Sequence, residues 1–245
     1  MLTNFRTAFV VLCGLLPTAV LADGLIYQLP ADGTWARFDL DTKGTGPGGK
    51  ESTLIGSLTL SSVGTAEVDG EACRWIEIGA EGKLDDQTFT DIKKLLIPEK
   101  HLGNGKDPLE HLLKVWVKQS TVADGTLRQI EDLKGTGARQ LARLRLFLPG
   151  PFKTSEKLDK VAVESKLEKL EYEGLTAHEK TDHPGNLSLD STYIIRLHPT
   201  APFGVVTYEN TTKVERGGQS EGTVTMKLKL VDFGKDAKSA LPDSK

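Results

Sequence analysis

The residues with chemical potential fall into four short groups. Gly44-Thr-Gly-Pro-Gly-Gly49-Lys50 has the spacing of a phosphate-cradling loop. Such a loop needs a Ser or Thr after its lysine to hold magnesium, and a helix whose N-terminus faces the phosphates. Here Glu51 follows the lysine, the preceding WARFDLD is half polar, and the following STLIGSLTLSS reads as a strand. A hairpin connection explains these glycines, and no nucleotide or other cofactor is expected. Gly218-Gln-Ser220-Glu-Gly222 has the spacing of a nucleophile elbow, which exposes a serine where a strand turns into a helix. This copy lies between two strand-like runs, and no histidine follows His198. It reads as a turn. His178-Glu-Lys-Thr-Asp-His183 has one residue more than the zinc-protease pattern. On a helix that spacing leaves the rings about 140° apart, and on a strand it puts them on opposite faces. Only a loop, which Pro184 and Gly185 favour, could bring them together; they are expected to be solvated loop histidines, with no metal.

The fourth group is Cys73, in EACRWIEI, where Cys73, Trp75 and Glu77 share one face of a strand. A packed, inert thiol is the expectation. Acids such as Glu164, Glu168 and Glu171 are mixed with lysines, as on a solvated face, and none stands isolated in an apolar run as a tuned catalytic acid would. No catalytic residue emerges, and the chain is expected not to be an enzyme.

What must position these residues is mostly β-structure. Runs of alternating polarity, separated by Gly, Asp and Asn, recur along the chain. In TVTMKLKLVDF, Val224, Met226, Leu228 and Leu230 fall on one face, with Thr225, Lys227 and Lys229 on the other. A half-buried antiparallel strand needs this pattern. With 204–215 upstream and Arg216-Gly-Gly218 as turn, residues 204–230 read as a long hairpin. Further strands are expected at 34–41, 51–62, 72–80, 87–97 and 190–198. Strands without intervening helices imply an antiparallel meander.

One segment departs from the pattern. Asp107-Pro108-Leu109-Glu110 carries an N-cap, a proline at the first helical position and an early acid. Leu109, Leu112, Leu113 and Trp116 follow at helical spacing, so an amphipathic helix is predicted from Asp107. A second helix is considered around Gln140 to Phe147, although Leu144, Leu146 and Leu148 also alternate. The stretch 157–178 reads as a mixture of strand and helical turn.

The N-terminus carries an export signature. Arg6 precedes the apolar run TAFVVLCGLL, and Val20 and Ala22 stand three and one before a cut at Asp23. Residues 1–22 therefore read as a signal peptide, too short to span a bilayer as a helix. Leu12 before Cys13 argues against a lipoprotein cleavage site. After the cut, Cys73 is the sole cysteine, so no intramolecular disulfide can form. Asn186-Leu-Ser188 and Asn210-Thr-Thr212 match glycosylation sequons, which matter only in a eukaryotic host. The net charge of −3 gives no support for nucleic-acid binding. Residues 23–234 read as one β-rich domain and 235–245 as a flexible tail. The protein is expected to be exported, periplasmic or secreted, and not membrane-spanning.

The segment LLIPEKHLGNGKDPLEHLLKVWVK, residues 95–118, and APFGVV, residues 201–206, look like exported bacterial proteins of unknown role. Together with the export signal and the meander, the architecture resembles the periplasmic carriers and receptors of outer-membrane lipoprotein sorting. That resemblance implies a mainly β (α+β) fold: a curved antiparallel sheet or incomplete β-barrel, lidded by one or two helices over an apolar cavity. It implies a non-enzymatic module that holds a lipid or a lipoprotein segment. The low aromatic content departs from that family, and no ligand residue is carried over from it. The candidate binding residues come from the amphipathic stripe itself: Leu109, Leu112, Leu113 and Trp116, as a helical lid. The alternative is a structural or interaction domain of the cell envelope with a filled core.

Overall fold

The structure, a computed structural model, describes residues 24–85, 87–120, 127–133, 141–163, 170–183 and 186–241. The alternating runs become strands. β1 (Trp35–Thr45), β2 (Glu51–Val68), β3 (Glu71–Leu84), β4 (Gln87–Pro98), β5 (Lys114–Gln119) and the short β6 (Arg128–Gln129) make one half. β7 (Ser155–Val163), β8 (Leu170–His183), β9 (Leu187–Leu197), β10 (Val205–Arg216) and β11 (Gln219–Gly234) make the other. They form one eleven-stranded antiparallel sheet in the order β6-β5-β4-β3-β2-β1-β11-β10-β9-β8-β7. The first and last strands thus meet in the middle, with Trp35 opposite Gly234 and Thr45 opposite Thr223.

The near-motifs resolve into this meander. Residues 41–52 turn from β1 into β2 around Pro47–Gly49, with the Gly46 N–H donating to the Lys50 carbonyl at 2.8 Å. Gly217 and Gly218, at φ 58° and 80°, make the β10–β11 turn, and Ser220 is exposed at the start of β11. His178 and His183 both lie in β8, an odd number of residues apart. Cys73 is fully buried, its thiol pushed up in pKa by burial.

The mainly β class is as expected; the covering helices are not. Among the described residues no helix reaches seven residues. The Asp107 start signal is real, since its side chain accepts from the Leu109 and Glu110 amides at 3.0 and 3.3 Å. It caps only the 3-10 turn Pro108–His111. Lys114-Val-Trp-Val-Lys-Gln then becomes β5, because Val115 and Val117 bury on the sheet's inner face and the backbone pairs with β4. Pairing satisfies the backbone and seats two β-branched side chains, which a second helical turn would not. The Gln140–Phe147 candidate is a 3-10 turn over Ala142–Leu146, with residues 134–140 outside the described set. Nor does the sheet curl into an incomplete barrel: it is open and uncurled, with β6 and β7 as its edges. An apolar face can be covered by wrapping the sheet or by laying irregular chain across it. This protein does the second.

The topology explains that cover. The chain leaves one edge at β6 and must restart at β7, the opposite edge, about ten strand spacings or roughly 48 Å away. The connection has to cross the inner face. It does so with Leu141, Leu144, Leu148 and Phe152, all buried against Phe38, Leu58, Ile76, Leu95, Leu230 and Ile195. Leu25, Ile26, Leu102, Ala201 and Phe203 join them from other connections.

The outer face is more polar, with ion pairs such as Lys227–Glu209 at 3.2 Å, each worth under about 1 kcal/mol when exposed. Part of it is strapped by the chain end. Trp35 Nε1 donates to Asp236 at 2.7 Å, and Glu77 accepts from the Ala240 amide at 3.0 Å and from Ser239 Oγ at 2.8 Å. Leu241 is buried there. Residues 242–245 and 1–23, the latter including the expected signal peptide, lie outside the described residues.

Candidate functional site

Beneath the crossing segment, the inner face keeps a trough of about 280 Å³. Leu40, Thr42, Leu54, Ala80, Leu84 and Phe89 form its floor and one wall, Val224 and Met226 the other, and Leu146 and Phe147 its roof. The register row Leu40–Gly56–Gly82–Phe89 leaves its middle two positions without side chains, which lowers the floor between β2 and β3.

Three anchors hold the roof. The fully buried Tyr208 hydroxyl donates to the Leu146 carbonyl at 2.6 Å, and burial raises its pKa well above the usual phenol value. The Leu25 amide donates to the Phe147 carbonyl at 3.0 Å. Arg145 Nη1 donates to Asp107 Oδ2 at 2.6 Å, so the residue that caps the 108–111 turn also ties down the crossing segment.

Thr42, Thr90 and Gln119 bring polar groups to the lining, and at two further places the polar groups are buried. Asp91 and Lys93, two residues apart on β4 and so on one face, pair through Asp91 Oδ2. Lys93 is only 6 % exposed, and the other oxygen of Asp91, Oδ1, is buried without a partner. Across the trough, Asn210 on β10 is 1 % exposed. Its Oδ1 accepts from the Thr212 hydroxyl at 2.9 Å, which lies 2.8 Å from Ser191 Oγ, while its Nδ2 has no partner. Buried polar atoms without partners cost free energy, roughly 1–3 kcal/mol each, and are uncommon in native interiors. Burial of Asn210 also takes the second sequon out of reach of modification in the folded chain.

The four candidate residues drawn from the helical stripe do not form this site. Leu109 and Leu112 pack, partly buried, against the core; Leu113 is 41 % exposed; Trp116 points to the outer face of β5 beside Lys94. What the sequence reading missed is the pair Asp91–Lys93 inside QTFTDIKKLLI, where period two does put both on the buried face. Asn210 was legible only as a sequon. Among the described residues no group of three metal-ligating side chains converges, and no helix is long and apolar enough to cross a membrane.

A second titratable cluster lies at the sheet's other end. His101 and His111 stack at 3.4 Å between ring centres and 8° between planes. Burial, with His111 and Lys100 alongside, holds His101 below its usual 6.5, while Glu71, paired to Lys100, opposes this weakly. A histidine depressed in the fold takes up its proton more readily when unfolded. Its contribution is therefore present above pH 6.5 and falls away below it, towards the lower folded value. Glu71, also lowered, acts only below its usual 4.5, so the two windows separate. Urea midpoints should drop between about pH 7.5 and about pH 5.5, and His101→Gln should flatten that slope. An unchanged slope in the variant would remove His101 as its source.

No protein-family model matches the chain, and no curated protein matches it. Among solved structures, the chain is similar to a DUF1329 family protein from Desulfovibrio piger ATCC 29098, with 12 % identity and a TM-score of 0.35 over 87 % of this chain and 89 % of that one. It is also similar to a beta-barrel-like protein of domain of unknown function DUF1849 from Brucella abortus, at 12 % identity and a TM-score of 0.26, over 88 % of this chain and 98 % of that one. Neither comparison names a ligand or an activity. The resemblance to lipoprotein carriers drawn from residues 95–118 and 201–206 finds no support in them.

Proposed function

We propose that the protein is an exported, non-enzymatic binding module that holds an apolar, lipid-like ligand in the trough beneath Leu146 and Phe147. The observation that carries this reading is the lining: a mostly apolar cavity with two buried polar atoms, on Asp91 and Asn210, that lack partners. Small-molecule sites have this composition, an apolar wall with a few placed polar groups. At about 280 Å³ the trough lies near the lower end of such sites, which suits a single chain rather than a multi-acyl lipid. The lid differs from the amphipathic helix expected from sequence. It is the crossing segment, anchored through Tyr208, Leu25 and Asp107.

The test is native mass spectrometry of the mature protein, beginning at Asp23 and purified from its exporting host. An adduct of a few hundred daltons, extractable into organic solvent, is expected. Ala80→Phe, or Val224→Phe on the opposite wall, should remove the adduct while circular dichroism keeps its β signature. A clean apo mass and no uptake of added fatty alcohol or acid would sink the reading and leave the filled-core interaction domain.

A further inference from the structure

We infer a second binding site, for a small organic cation with a primary ammonium group, in a pocket of about 450 Å³ that shares only Leu146 with the trough. The inference stands apart from the lipid reading. The pocket's floor is one row of the inner face: Glu179 on β8 lies opposite Ser191 on β9, and Ser191 opposite Thr212 on β10. Directly opposite residues stand about 5 Å apart, so one ligand group can meet Glu179 and Ser191 together. Tyr193, next along the same face of β9, completes the floor, and Leu146, Pro149, Pro151 and Leu189 supply apolar walls. Ser191, Tyr193 and Thr212 are all buried.

The hydroxyl protons of this floor are already committed. Thr212 donates to Asn210 Oδ1 at 2.9 Å, so the 2.8 Å bond between Ser191 and Thr212 is donated by Ser191. With that proton spent, the bond between Tyr193 and Ser191 is donated by Tyr193, and Asn210 adds a weaker contact to the same phenol. The floor therefore presents lone pairs, and beside them the Glu179 carboxylate, which only accepts. Burial raises the Tyr193 pKa and the nearby Glu179 adds to it, yet among the described residues Glu179 has no ion-pair or hydrogen-bond partner. Thr181, one row further out, already has a partner.

Charge selects among the ligands that could donate here. Arg145, the cation of the lining, is held by Asp107 at 2.6 Å. Gly150 packs against that pair, since an added Cβ would lie 2.7 Å from Asp107 Oδ2 and 3.2 Å from Arg145 Nη1. Asp107 and Arg145 cancel, which leaves the pocket negative through Glu179. An anion would meet that carboxylate and the lone pairs around it. A divalent metal ion needs more oxygen ligands, and more charge, than one unpaired carboxylate brings. An alcohol supplies one proton, whereas an ammonium supplies three together with the charge that Glu179 lacks opposite it. The apolar walls suit the carbon frame of an organic amine.

The measurement is the affinity of phenethylamine, phenethyl alcohol and phenylacetate for the full mature chain, by calorimetry at about pH 7.5. The amine should bind at least about tenfold more tightly than the alcohol, the equivalent of about 1.4 kcal/mol, and phenylacetate most weakly. Glu179→Gln should erase that preference while the urea midpoint stays in place, because the side chain has no partner to lose. Glu209→Gln, on the outer face, should leave the preference intact, which separates the pocket from general surface charge. Ala80→Phe, which closes the trough, should leave amine binding unchanged. Equal binding of amine and alcohol, a preference that survives Glu179→Gln, or no binding at all would overturn the site. Loss of amine binding in Ala80→Phe would place the amine in the trough and overturn the second site alone.

Discussion

Gly82→Ala should cost the protein about 3 kcal/mol or more, and Gly79→Ala, three residues earlier on the same strand, almost nothing. Gly82 sits directly opposite Gly56 across the β2–β3 ladder. A Cβ on Gly82 would lie 2.3 Å from the Ile55 carbonyl oxygen and 2.7 Å from the Gly56 Cα. A Cβ on Gly56 would lie 2.0 Å from the Glu81 carbonyl oxygen. These are backbone atoms, so no rotamer change relieves the clash; the two strands would have to part. Neither glycine needs a left-handed backbone, and it is the close approach that demands them. At Gly79 nothing lies within 4 Å of the added carbon, and alanine there should be neutral or slightly stabilising. Urea unfolding of the two variants beside the parent checks this. Equal midpoints for Gly79→Ala and Gly82→Ala would mean that the strands are not so tightly apposed.

Arg74→Met should be the most damaging of the charge removals, at about 3 kcal/mol. Arg74 is 8 % exposed. Its Nε and Nη2 donate to Glu99 at 3.0 and 2.6 Å, and Nη1 donates to the Pro30 carbonyl and to Ser62 Oγ, both at 3.0 Å. One side chain thereby joins β3, β2, the segment before β1 and the turn after β4. Methionine fills much of the volume but leaves three acceptors without their donor. Glu99 keeps some access to water, which places the cost at the lower end of that for a broken buried pair. Arg74→Lys should recover less than half of the loss, since an ammonium cannot reproduce the planar fork. Thermal midpoints of the two variants decide it, and a lysine variant as stable as the parent would show that charge alone suffices.

Several parts of this molecule were readable before any coordinates. Alternation in TVTMKLKLVDF put Val224, Met226, Leu228 and Leu230 on one face, and the structure buries Met226, Leu228 and Leu230. The β10–β11 hairpin and the short β1–β2 connection follow from local turn chemistry and a two-residue period, whereas the His178–His183 pair, expected in a loop, lies in β8. Those turns and faces were legible because each is decided by neighbours in the chain.

The lid was misread for the opposite reason. Residues 107–116 hold both a helix start and the beginning of an alternating run, and local propensity cannot rank them. The free edge of β4 ranks them, by offering Lys114–Gln119 a backbone to pair with and an inner face for Val115 and Val117. The trough lies beyond sequence reading altogether. Asp91 and Asn210 stand more than a hundred positions apart and become neighbours of one cavity through the sheet and the segment that crosses it. Sequence by itself determined the β class, the turns and which side chains share a face, because those depend on period and on φ preference. Tertiary structure alone decided where the edges lie, what chain must cross between them, and so which polar atoms are left buried beneath the crossing without a partner.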